Sequence, residues 1–197
     1  MNNAKLAGIA AVRMAPLALA ASMALAAAPA LAEAPPADAR PDPAAVWIVM
    51  GVQPKNTRME IDRAKMKDGE VNYFAFSLNV DYPTDGFIVR KLKPDTPYGV
   101  SAMSIMWGRS PIGFRYEACR QTPLFQGAAG KVVYVGSFDY RMDGWAPSGG
   151  GFQFSSAATQ TDDLDGARAF LKAHYPNLAD SLERATAVMT PMKGSCR

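Results

Sequence analysis

The residue types that most often carry chemistry are scarce in this chain. It holds one histidine, His174, and two cysteines, Cys119 and Cys196. A single imidazole excludes zinc sites built on two or three histidines, and two cysteines are too few for a Cys-rich one. A Ser-His-Asp triad would have to recruit His174. That residue stands just before Tyr175-Pro176, at the end of a helical pattern, where an imidazole meets a helix C-terminus favourably. There is no G-x-S-x-G and no Walker loop. The glycines at 149–151 lead into Phe152 and a strand-like "FQFSS", not into a lysine and a helix.

The carboxylates form two local clusters. "TDDLDG" (161–166) resembles part of a calcium loop, but an EF-hand starting at Asp163 needs Glu at its twelfth position, where His174 stands. Helix capping accounts for that cluster. "DYRMDG" (139–144) places Arg141 between Asp139 and Asp143, which opposes a cation, and a turn accounts for it. A hydrolase using two distant carboxylates is an alternative that sequence leaves open. Methionine supplies a second alternative. Met103-x-x-Met106 and Met189-x-x-Met192 have spacings that an exported Cu(I) carrier would use. Core filling is the competing explanation. No metal and no cofactor is expected. The residues offered as a binding loop are Tyr140 and Trp145. Trp145 lies in "RMDGWAPSGGG" (141–151), a Gly/Pro/Ser-rich connection where a large aromatic would contact a ligand or partner.

Something must hold these residues in place and deliver them. Residues 1–32 read as a signal peptide: Lys5 and Arg13 are the only charges, an Ala/Leu-rich run follows, and Ala30-Leu31-Ala32 ends it, with cleavage after Ala32. A retained anchor is the rival reading. Cleavage leaves 19 basic and 18 acidic residues from the 21 and 18 of the whole chain. So balanced a charge is not built for nucleic acid. The expected localisation is periplasmic or secreted, with no stable membrane span after the leader is removed. In such a compartment Cys119 and Cys196 read as a disulfide. Closing a loop of about 77 residues, it would contribute on the order of 4.5 kcal/mol.

Residues 33–45, rich in Pro and Ala, read as a solvated tether. Residues 46–197 then form a single domain. "AVWIVMGV" (45–52) reads as a strand buried on both faces, and "TRMEIDR", "VNYFAFSLNV" and "GFRYEAC" alternate with period two. "LFQGAAGKVVYVGSFDY" (124–140) reads as a hairpin turning at Gly127–Gly130, with Val132, Tyr134, Phe138 and Tyr140 on one face and Gly136 marking a bulge or close approach. "TDDLDGARAFLKAHY" and "NLADSLERATAVM" carry helical spacing, with Pro176 between them. Strands followed by helices predict an α+β fold, an antiparallel β-sandwich-like body with two C-terminal helices.

"LKPDTPYGV" (92–100) and "FQGAAGKVVYVGSF" (125–138) resemble turn and hairpin motifs of uncharacterised exported bacterial β-sandwich domains, of the transthyretin-like or carboxypeptidase-regulatory-like kind. Asp95-Thr96-Pro97 stands where that pattern has Gly. The resemblance implies a sandwich without catalytic activity. The expectation is therefore an exported, non-enzymatic domain that binds an envelope protein or small ligand, or serves as a structural part of the envelope. N-terminal sequencing of the exported protein should begin at Glu33, and its non-reduced mass should be lower than its reduced mass by two thiol hydrogens. A retained leader, or two alkylatable thiols, would contradict these readings.

Overall fold

The structure, a computed structural model, describes residues 34–73, 80–107, 110–115, 121–148 and 151–193, with side chains described outside 106–115 and 142–157. Cys119, Cys196 and the junction after Ala32 lie outside these residues. The elements in chain order are β1 (Val46–Gln53), β2 (Thr57–Lys67), β3 (Glu70–Tyr73), β4 (Val80–Asp81), β5 (Phe87–Leu92), β6 (Tyr98–Trp107), β7 (Ser110–Arg115), β8 (Gln121–Phe125), β9 (Val132–Ser148), β10 (Gly151–Thr161), α1 (Leu164–His174), α2 (Pro176–Ala179), β11 (Leu182–Arg184) and β12 (Val188–Pro191). They make two sheets. One runs β10-β9-β1-β5, with β11 also on β9; the other runs β12-β8-β6-β2-β3, with β4 on β2 and β7 on β6. Most pairings are antiparallel; β1 with β9 and β11 with β9 are parallel.

The continuous apolar run of β1 is buried on both faces, as its composition requires. Val46, Ile48, Met50 and Val52 enter the core between the sheets, opposite Met59, Ile61, Val100 and Met103. Trp47 and Val49 enter a second core, under Ala167, Phe170, Leu171 and Leu178 of the helices. The molecule is thus three layers: sheet, sheet, helices. Each fully buried Ile or Met of β1 contributes about 1.5–3 kcal/mol relative to exposure.

β9 serves both cores, and its phase changes on the way. Val133 and Val135 face the inter-sheet core, and so do Phe138 and Tyr140, although the first pair is odd-numbered and the second even. The pairing explains the change: Val49 is opposite Tyr134 and Gly51 opposite Ser137, so β9 carries one extra residue. Gly136 takes the bulge with φ of 115°. Strict period two had put Val132 and Tyr134 with Phe138; they face the helices instead. Opposite the bulge, a Cβ at Gly51 would lie 1.9 Å from Ser137 Oγ. The two strands can approach this closely only because that position is glycine.

Three further expectations change. The 124–140 stretch is not a hairpin, because β8 and β9 belong to different sheets. Its glycine turn crosses between them and is fixed to the start of β1: Gly130 N–H donates to Ala45 O at 2.8 Å, and Gly127 packs on Val46. The second helix is one turn, Pro176–Ala179. β10 leaves β9 open at Val132–Tyr134, and Leu182–Arg184 fills that gap as β11, while Val188–Pro191 pairs with β8 as β12. Open ladder positions outweigh the weak helix propensity of a segment holding Ser181 and Thr186. The stretch 36–45 is not a free tether but a strap. Ala39 is buried, Trp47 Nε1 donates to Arg40 O at 2.9 Å, and Asn177 Nδ2 donates to Asp38 O at 3.1 Å.

The bulge yields a test. Gly136→Ala forces a side chain into a backbone conformation suited to glycine and brings Cβ to 3.0 Å from Gln160 Nε2. It should destabilise the fold by about 1–3 kcal/mol in urea unfolding. A change under a few tenths would mean that β9 carries no such bulge.

Candidate functional site

The most concentrated side-chain chemistry lies where the β4–β5 connection meets α1. The dipeptide Asp85-Gly86 forms the turn. Both residues have positive φ, 51° and 91°, and Thr84 and Phe87 exchange backbone hydrogen bonds of 2.8 and 2.9 Å. Positive φ at both central positions is the hairpin geometry that matches strand twist. The turn delivers Phe87 onto the helix, where it stacks on Phe170 with centroids 4.9 Å apart. Phe170 sits one turn before His174, whose ring lies 4.6 Å from it, and Tyr175 meets Phe170 edge-on at 6.0 Å. His174 Nε2 also lies 3.1 Å from Asp85 Oδ2, so the only histidine ties the helix end to the turn. It is therefore placed at the helix C-terminus, as its position in the sequence suggested.

Below this aromatic row is a cleft of about 220 Å³, lined by Pro35, Asp81, Tyr82, Phe87, Phe170 and Tyr175 among others. Tyr82 is half exposed at its mouth, at 48 %, and Asp81 is buried, at 6 %. Burial drives the Asp81 carboxyl above its ordinary value of 3.8, with a smaller push from the Asp62 charge; Arg90 acts in the opposite direction. Arg90 Nη1 binds Asp81 Oδ2 and also donates to Ile61 O at 3.1 Å. Since Arg90 belongs to β5 and Asp81 to β4, the ion pair joins the two sheets at the rim of the sandwich. Burial also raises the Tyr175 hydroxyl. On the other side of Phe87 is a smaller cavity of about 150 Å³, bounded by Gly51, Gly86, Ser137, Asp139 and Asp163. There Tyr134 Oη sits 2.8 Å from Ser137 Oγ and accepts from the Asp163 N–H at 2.8 Å.

The residues singled out by sequence lie elsewhere. Tyr140 is 2 % exposed in the inter-sheet core, so it offers no binding surface. The segment holding Trp145 is the second half of β9, paired with β10, rather than an open loop; the Trp145 side chain lies outside the described ones. Met103 is 2 % exposed, opposite Met59, and Met189 packs against the same core; the Met106 side chain is outside the described set. Asp163 caps α1, accepting from Gly166 N–H at 3.0 Å. Asp139 lies on β9, not in a turn, and pairs with Arg141 at 2.8 Å. Among the described residues no three His, Cys, Asp or Glu are grouped to hold a metal ion, and no helix is long and apolar enough to cross a membrane. Asp81, Arg90 and Phe87 escaped sequence reasoning, although the Asp85-Gly86 dipeptide between apolar runs signals the turn that positions Phe87. Comparison with family models, curated proteins and solved structures returns no match.

The Asp81–Arg90 pair gives two expected outcomes. Asp81→Ala removes the carboxylate partner of a largely buried guanidinium and should cost about 3–5 kcal/mol in chemical denaturation. The native carboxyl holds its proton more tightly than the unfolded one, so its contribution is fully present below pH 3.8 and is lost as pH rises through the raised native value. The stability difference between wild type and Asp81→Asn should therefore shrink with rising pH across that window. Growth of the difference would reverse the sign assigned to Asp81.

Proposed function

We propose that this is an exported, non-catalytic binding domain, and that the cleft between the Asp85-Gly86 turn and α1 is its ligand seat. The observation that carries this reading is the cleft itself: aromatic walls from Tyr82, Phe87, Phe170 and Tyr175, with one buried carboxyl, Asp81, at hand. Apolar walls with few, well-placed polar groups are the usual make-up of a small-molecule site. A space of about 220 Å³ is smaller than the roughly 300–1,000 Å³ of drug-sized sites. The ligand is accordingly a small aromatic or apolar group bearing one hydrogen-bond donor for the Asp81 oxygens. The leader sequence supports a periplasmic or secreted location.

The carboxylate hydrolase asks for two acids converging on one cleft. Here Asp81 is the one acid among the described lining residues, and Arg90 already engages it. A copper carrier asks for accessible, clustered thioethers, whereas Met103 fills the core and Met189 packs against it. Both placements favour binding over the alternatives.

Saturation-transfer NMR with small neutral aromatics and aromatic amines tests the reading. The amines should bind more tightly than the neutral compounds. Tyr82→Ala, an exposed change that spares the core, should weaken them at least tenfold. Equal binding by wild type and Tyr82→Ala, or none at millimolar concentration, would remove the cleft as the seat.

A further inference from the structure

The outer edge of β10 differs from every other sheet edge described. β3 and β12 are four residues long, and β12 ends in Pro191. β7 contains Pro111 and Arg115, β5 contains Arg90 and Lys91, and β11 is three residues with Glu183 and Arg184. Short length, proline and charge are the devices by which edges avoid pairing with another chain. β10 has none of them. Its eleven residues, "GFQFSSAATQT", include no charge and no proline, and among the described residues it pairs on one side only, with β9.

The sheet also runs out beneath it. β1 stops at Gln53, opposite Asp139, so among the described residues β9 from Tyr140 to Ser148 pairs with β10 alone. A two-stranded ribbon is marginal in water, and three or more strands are needed for independent stability. A strand that matches this edge is long, uncharged and pairable, and β10 of a second copy is one.

We propose that two copies of this chain associate by antiparallel pairing of β10 with β10 about a twofold axis at Ser156. The pairing turns two isolated ribbons into the four-stranded order β9-β10-β10-β9 and joins both sheets into one. The register opposes Gln153 to Thr159, Phe154 to Ala158 and Gly151 to Thr161, so no like charges meet along the strand. A self-complementary edge of this kind closes as a dimer and does not propagate.

Sedimentation equilibrium of the mature chain tests the assembly. Wild type should be dimeric at micromolar concentration. Gln153→Lys with Thr159→Lys sets lysines opposite each other across the axis and should raise the dissociation constant at least tenfold, with circular dichroism and melting retained. Gln153→Glu with Thr159→Glu should behave likewise, and mixing the two variants should restore the dimer through opposite charges. A monomeric wild type at 100-fold higher concentration, a dimer indifferent to these charges, or failure of the mixture to associate while each variant is folded overturns the proposal.

Discussion

The parallel pairing of β1 with β9 is the constraint on which the other layers rest. β1 from Val46 to Val52 and the start of β9, Val132–Val135, are buried on both faces, so neither stretch tolerates solvent on either side. Lying side by side, they require a second sheet above and a helical layer below. The Gly51–Ser137 approach and the extra residue at Gly136 fix their relative register. They also decide which β9 side chains face which layer. Upstream of Gly136, Val132 and Tyr134 bind the helices; downstream, Phe138 and Tyr140 fill the sandwich. One inserted residue thus lets a single strand begin as a shared wall and continue as the outer arm of the sheet.

The functional features follow from where this pair ends. β5 flanks β1 as the sheet's far edge, and its turn reaches α1 because α1 lies across the face that Trp47 and Val49 present. The cleft is the seam left where the rim of the sandwich, the helix and Ala34-Pro35, just ahead of the strap, fail to close on one another. Asp81 and Arg90 tie the two sheets at that seam. This gives the polar pair a structural reason to exist, while Asp81 also lines the cleft. At the opposite edge, β9 outruns β1, and among the described residues β10 alone accompanies it there.

The class of fold was legible because it depends on composition and period. The doubly apolar run at 45–52, the alternation of 57–63 and the acidic start of α1 each report a local cause. What was not legible depends on partners distant in sequence. Nothing within 124–140 says that its two halves enter different sheets; β1, some eighty residues earlier, takes the second half. The helical spacing of 177–189 is real, but a vacant ladder position beside Val132–Tyr134 recruits Leu182–Arg184 as a strand. Gly136 was recognisable as a bulge or a close approach, yet the exchange of faces that it causes follows only from its pairing. Tyr140 looked like a surface residue because the segment after it looked like a loop; as part of a continuous strand it becomes core. Asp81 and Arg90 carry no motif at all, since they meet only when two sheets are stacked.

Amide hydrogen exchange resolved by residue bears most directly on the central claim that β1 and β9 hold both layers. The amides of Trp47–Val52 and Val132–Val135 should exchange only through global unfolding, as the slowest set in the molecule. The α1 amides should open either with them or sooner. If the slowest amides lie instead in β2 and β6, or in α1, while β1 exchanges through local opening, then the β1–β9 pair is a passenger on one of the layers and not their common support.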